Sequence, residues 1–146
     1  MNIRVYLDHC CFNRPYDSQD QLAVRLEAEA KLFIQAEIIA ERLDLVWSFM
    51  MDYENSFNPS KGRREAIGEW RSFAREVMQL NASVESRQRH YKSLGLKNKD
   101  ATHLACAVEA GCDYFLTTDA GILRKQSKIT EIRIVNPVAY ICEPQG

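Results

Sequence analysis

The chain has 146 residues, 46 % of them apolar and 27 % charged, with a formal net charge of −1. That length and composition suit a single domain over residues 1–146 with a core of its own, and they exclude a disordered chain. No apolar run reaches the roughly 18–20 residues that cross a bilayer, and MNIRVYLDHC has no signal-peptide build, so a cytoplasmic protein without membrane partners is expected. Along the chain, Ile3–Leu7 is apolar and β-rich, a first strand ending at Asp8. Pro15 then excludes continued regular structure in the loop over 9–15. Ser18 with Gln21 matches a capping box, and a long helix over 19–43 is expected, with Leu22, Leu26, Ala30, Phe33, Ala36, Ala40 and Leu43 as its main stripe. Leu32, Ile34, Ile38 and Ile39 lie off that stripe. A helix apolar on more than one face is usually covered on more than one face, so association is expected, as a homodimer or with another protein.

Leu45, Val46 and Trp47 read as a second strand ending at Ser48, and a helix over 49–57 carries Asp52 and Glu54. Asn58-Pro59-Ser60 is a break and a new helix start. The spacing of Ala66, Ile67, Trp70, Phe73, Ala74, Val77 and Met78 predicts an amphipathic helix to residue 78. Ser83 is the expected cap of a further helix through Tyr91 and Leu94 to Gly95. A basic connector over 95–99 leads to Asp100, which opens an apolar helix that Gly111 ends. Tyr114, Phe115 and Leu116 form a strand that Thr117 and Thr118 continue, with Asp119 where it stops. A strand over 132–135 and a short helix over 138–141, started by Asn136-Pro137, close the chain. Strands alternating with helices favour a parallel sheet.

Charge is unevenly distributed. Residues 1–59 carry net −5, residues 60–99 net +6, and residues 100–146 net −2. A basic middle between acidic ends can hold a polyanion near an acidic, metal-filled site, although a solvated helical face has the same pattern. The five cysteines contain no Cys-x-x-Cys pair. Buried free thiols are the plain expectation, against a zinc site from His9, Cys10, Cys11 and His103.

Four acids have related positions. Asp8 and Asp119 end apolar strands, Glu54 lies six residues past Ser48, and Asp100 opens a helix that packs back on the sheet. In a parallel sheet the strand ends lie along one edge, where chemistry gathers. Four carboxylates brought together there would repel one another, and a divalent cation with oxygen ligands relieves that repulsion. Such a site can acidify water and stabilise an in-line phosphoryl displacement. Each acid also has a structural reading: turn former for Asp8, first-turn helix acid for Asp100, exposed helix residue for Glu54, helix cap for Asp119.

The segments VYLDHCCFNRP, WSFMMDYEN, KDATHLACAVEAGCDYFLTTDAG and IVNPVAYI, in this order and spacing, resemble the PIN-domain ribonucleases, the fold of the toxic partner in VapBC-type toxin–antitoxin pairs. The resemblance spans residues 3–141. It implies a three-layer α/β/α sandwich with a central parallel sheet. It implies RNA cleavage with Mg²⁺ or Mn²⁺ held by Asp8, Glu54, Asp100 and Asp119, with Thr117 matching the family's hydroxyl before the last acid. An antitoxin partner is implied as well. His9 departs from the Thr common after the first acid. Lys97 and Lys99, close to Asp100 in sequence, are expected to hold RNA phosphates, and Asn13 and Arg14 either touch substrate or stabilise their loop. Asp52 is an accessory at most, His103 is a core-edge histidine with one hydrogen bond ahead of a ligand or acid-base group, and Trp47 and Trp70 are core. The rival readings are a catalytically silent PIN-like module that binds RNA or protein, and another Mg²⁺ phosphohydrolase. Against the latter, Asp8-His9-Cys10 lacks the double aspartate of the haloacid-dehalogenase type.

Overall fold

The computed structural model describes residues 2–143. Five parallel strands make one sheet: β1 (Ile3–Leu7), β2 (Leu43–Ser48), β3 (Ala74–Met78), β4 (Tyr114–Leu116) and β5 (Arg133–Val135), in the spatial order β3-β2-β1-β4-β5. The chain lays down β1, β2 and β3 outward in one direction, then returns past β1 to place β4 and β5 on its other side. The strand order therefore reverses between β1 and β4, the position where open parallel sheets leave a crevice at their carboxyl ends. Leu7 is level with Leu116 across this pair.

The helices are α1 (His9–Asn13), α2 (Leu22–Ile39), α3 (Phe49–Ser56), α4 (Lys61–Gly68), α5 (Ala82–Ser93), α6 (Asn98–Glu109), α7 (Ala120–Leu123) and α8 (Pro137–Cys142). They cover the sheet in a three-layer α/β/α arrangement, with α5 packed on α6 and α2 on α8. The central strands are buried on both faces, as parallel strands under helices must be. Tyr6 stacks on Phe115 at 5.5 Å, and Trp47 meets Phe12 edge to face at 5.4 Å. Trp47 is fully buried, whereas Trp70 is half-buried at the core's edge. No helix among the described residues is long and apolar enough to cross a membrane.

Several elements differ from the sequence reading. The segment over 66–78 is not one helix. α4 stops at Gly68, a 3₁₀ turn follows over Glu69–Phe73, and residues 74–78 become β3. Their apolar spacing fits a helix, but the open edge of β2 supplies backbone partners that decide the outcome, and Arg75 faces solvent on the new edge strand. The loop after Asp8 is helical, as α1 and a 3₁₀ turn over Arg14–Tyr16 that accommodates Pro15 near its start. Ser18 forms no capping box. α2 begins after Gln21, without a side-chain cap bond. Asn81, not Ser83, caps α5, accepting from the amide of Val84.

The expected stripe on α2 holds only in part: Ala30 is buried together with the off-stripe Ile34 and Ile38. Ala28, Ala30, Lys31, Ile34 and Ile38 face the core, while Leu22, Leu26, Leu32, Phe33 and Ile39 are exposed. Ile34 and Ile38 are thus covered by their own chain and are no part of a surplus apolar face. Both faces of this helix are apolar, so periodicity alone does not say which one the sheet covers. Gly111 ends α6 as expected. With φ of 72° it sets a Schellman turn in which the Cys112 amide donates to the Ala107 carbonyl. All five cysteines are free, and burial pushes the Cys106 and Cys112 thiols up to about 12.

Candidate functional site

Asp8 and Asp119 follow β1 and β4 at the carboxyl edge of the sheet, Glu54 lies on α3 and Asp100 in the first turn of α6. Asp8 is buried, Glu54 and Asp100 are half-buried, and Asp119 is exposed. The Asp8 backbone amide donates to the Leu116 carbonyl at 2.9 Å, which locks the end of β1 to the end of β4. One oxygen of Asp8 accepts from the His9 amide at 2.8 Å and so caps α1. Its second oxygen accepts from the Thr117 hydroxyl at 2.8 Å. The Thr117 oxygen accepts in turn from the Asp119 amide at 3.1 Å. Thr117 therefore acts on the carboxylate of Asp8 and only on the backbone of Asp119, not on the Asp119 carboxylate. Asp119 caps α7, its Oδ1 accepting from the amides of Gly121 and Ile122. A Cβ at Gly121 would stand 3.0 Å from that oxygen, so a glycine lets the carboxylate sit there. The capping expected of Asp119 is present, Asp8 caps a helix where a turn was expected, and these bonds also orient both side chains.

Asp100 lies within electrostatic reach of the other three acids, although neither it nor Asp119 belongs to the group of ligand atoms that Asp8 and Glu54 form. Its carboxyl is pushed up from 3.8 to about 6, first by burial, then by the negative charges of Asp8 and Asp119, with Glu54 adding to the same effect and His103 opposing it. Glu54 goes the other way. Burial pushes it up, but the hydrogen bond and charge of His103, and the charges of His9 and Lys99, hold it below the ordinary carboxylate range.

His103 is more deeply involved than a core-edge residue with one hydrogen bond. It is fully buried, with Nε2 at 2.7 Å from Glu54 Oε1 and Nδ1 at 2.6 Å from the Tyr6 hydroxyl, which is 2.6 Å from Ser48 Oγ. An ionised carboxylate only accepts, so His103 Nε2 carries the proton shared with Glu54. Ser48, Tyr6 and His103 thus form a buried chain that ends on Glu54. Tyr6 and Ser48 carried no sequence signal for this: Tyr6 is two residues before Asp8, on the same face of β1, and reads as core. Asp8, Glu54 and His103 bring ligand atoms within 4.8 Å of one another, a group that could hold a metal ion. Because His103 Nε2 carries a proton toward Glu54, we regard this histidine as the group that orients Glu54, which would leave oxygen donors for a cation.

The remaining foreseen residues separate into two sets. Arg14 is held by Glu27 at 2.8 Å and Asp17 at 3.0 Å. Asn13 donates to the His9 ring and accepts from Asn58 and Arg63. Both therefore stabilise their loop. His9 also bonds Asn55, whose side chain donates to the Arg64 carbonyl, so α1, α3 and α4 are joined beside the acids. Neither His9 nor His103 shares a metal-ligand group with Cys10 or Cys11 among the described residues. Asp52 bonds Trp47 and Arg71 and takes no part. Lys97 precedes α6 and Lys99 lies in its first turn, both exposed and outside the described ion pairs. Much of the basic middle is internally paired, including Arg63 with Asp17, Arg71 with Asp52, Arg75 with Asp44 and Arg87 with Glu109.

No family model matches the sequence, and a search of curated proteins finds no match. Solved structures do match in shape. A chain of VapBC2 from Rickettsia felis, crystallised bound to a DNA fragment from their promoter, superposes with a TM-score of 0.58 at 12 % identity, covering 92 % of this chain and 98 % of that one. A chain of DNA-bound VapBC from Salmonella typhimurium gives 0.57 at 16 % identity, with the same coverages. A chain of VapBC-1 from nontypeable Haemophilus influenzae gives 0.54 at 16 %. At these identities the likeness is one of architecture: this chain is a three-layer α/β/α sandwich with the PIN-like fold, shared with these VapBC chains.

Proposed function

We propose that this protein is an endoribonuclease that uses Mg²⁺ or Mn²⁺ and acts as the toxin of a toxin–antitoxin pair. The observation that carries the reading is Asp100: its carboxyl is raised to about 6 by burial and by three other acids at the one sheet edge where an open parallel fold leaves its crevice. Unneutralised negative charge of this kind suits a hard divalent cation, and the donors are oxygens, the preference of Mg²⁺ and Mn²⁺. Asp8, Asp100, Asp119 and Glu54 would hold it. Such a cation, when bound, stabilises charge on the scissile phosphate and acidifies an attacking water.

The chain's own residues do the rest. The Thr117 hydroxyl fixes the carboxylate of Asp8 and the start of the Asp119 turn. The Ser48–Tyr6–His103 chain holds one oxygen of Glu54 and leaves the other free to accept from water. Lys97 and Lys99 supply positive charge for phosphates flanking the cut. Water attacks phosphorus in line, without a covalent enzyme intermediate. A partner of the antitoxin kind is supported by the VapBC complexes that share the fold, and the exposed Leu22, Leu26 and Phe33 of α2 are the surface we assign to it.

The test is cleavage of single-stranded RNA. Wild type cuts with Mg²⁺ or Mn²⁺ and stops with chelator. Asp8→Asn and Asp100→Asn each lower the rate at least 100-fold while keeping the fold. Cutting that persists in chelator, or in both variants, excludes the mechanism. RNA binding without cutting by wild type in either metal favours the silent binding module.

A further inference from the structure

Two aromatic side chains stand in solvent beside the acidic crevice. Tyr53 and Phe57, one helical turn apart at the end of α3, are 51 % and 65 % exposed, and their rings meet edge to face at 5.0 Å. Phe57 exposes more of itself than any other large apolar side chain among the described residues. Glu54 lies between the two in sequence, and it lines with Phe57 a cleft of about 410 Å³ that also includes His9, Asn13, Asn58 and Arg63. Lys99 Nζ lies 5.9 Å from the centre of the Phe57 ring, and the same ammonium acts on the charge of Glu54. Lys99 directly precedes Asp100. An aromatic face, a cation and two of the acids, Glu54 and Asp100, therefore lie close together along α3 and α6.

We propose that Phe57, braced by Tyr53, is a stacking platform for one unpaired base of single-stranded RNA, with Lys99 on a phosphate of the same nucleotide. This rests on the nuclease reading above and names the residues that would hold its single-stranded substrate. A nucleobase matches the platform because it is flat and apolar on its faces, while its sugar-phosphate is anionic and suits Lys99. The base must be unpaired, since a duplex already covers both faces of each base. The cleft offers little for reading base identity. Asn58 donates to Asn13 and accepts from the Ser60 amide, and Arg63 is bound to Asp17, Asn13 and the Tyr16 carbonyl. Single-strandedness, more than sequence, is what this cleft selects.

The experiment uses the full chain carrying Asp8→Asn and Asp100→Asn in chelator, so that binding is independent of metal and of cutting. The probe is a short single-stranded RNA containing 2-aminopurine, whose fluorescence falls on stacking. The expected result is saturable quenching that is lost when the RNA is annealed to its complement. Adding Phe57→Leu weakens binding roughly 5- to 150-fold and removes the quench, Phe57→Tyr retains both, and melting is unchanged because Phe57 lies at the surface. Equal affinity and equal quenching in the Phe57→Leu protein, or no quenching by the reference protein, overturns the proposal. Cleavage by the metal-loaded protein with its acids intact is scored separately. If it cuts RNA and Phe57→Leu leaves kcat/KM unchanged, the platform falls and the nuclease stands. If it never cuts but the quench depends on Phe57, the platform stands and the nuclease falls.

Discussion

Asp100 and Lys31 each hold a charge that the fold disfavours, and each predicts a pH dependence of known sign. The Asp100 carboxyl sits at about 6 in the folded chain against an ordinary 3.8. Between those values the folded state binds more protons than the unfolded state. The corresponding stability is full below pH 3.8 and is lost as pH rises through 6. Metal-free wild type therefore loses melting temperature across this window relative to Asp100→Asn, and at pH 7 the variant melts higher. Parallel profiles would remove the electrostatic basis for the cluster. Lys31 is 4 % exposed, and burial holds its ammonium down at about 8. Its Nζ donates to Gln35 and lies 5.2 Å and 5.0 Å from the ring centres of Phe12 and Trp70. It has no carboxylate in the described ion pairs. Here the unfolded state binds more protons above pH 8, so stability rises with pH up to the ordinary value near 10.5. Denaturant unfolding should show wild type gaining roughly 2 kcal/mol on Lys31→Met between pH 7 and 10.

At the scale of elements, helix ends show which local signals suffice. Ser60 and Asn136 cap α4 and α8 as their sequence predicts, because a capping side chain and its amide lie within three residues. Gly111 is equally local. The end of α2 is not: Glu41 occupies the left-handed position, with φ of 60°, and the Arg42 amide closes the turn on the Glu37 carbonyl. No glycine marks this stop, which is why the helix reads four residues too long. Glu41→Gly should relieve the strain and raise stability by about 0.5–1 kcal/mol in denaturant unfolding, because an L side chain in this conformation costs about 1–2 kcal/mol. A loss of stability would mean that the Asn2 bond to the Glu41 carbonyl depends on the side chain now present. β3 was hidden for a different reason. Its residues carry helical spacing, and only the vacant edge of β2, whose Leu45 pairs with Ala74, converts them to a strand.

For the molecule as a whole, the alternation of strands and helices was enough to predict the parallel sheet, whose strand ends share one edge. The order β3-β2-β1-β4-β5 adds what no single segment encodes, that Asp8 and Thr117 are neighbours 109 residues apart in sequence. The buried chain from Ser48 through Tyr6 to His103 was not readable for the same reason, because it joins β2, β1 and α6, which are adjacent only after folding. The basic middle likewise resolves only in three dimensions, into arginines that pair with local acids and Lys97 and Lys99 that face solvent. The claim on which all of this converges is that Asp8, Glu54, Asp100 and Asp119 form one cation site. Anomalous diffraction from Mn²⁺-soaked crystals tests it most directly. The account predicts a manganese peak at the β1–β4 crevice within about 2.0–2.4 Å of oxygens from Asp8 and Asp100, absent in crystals of Asp8→Asn. A peak elsewhere, or none in this crevice at saturating Mn²⁺, would contradict it.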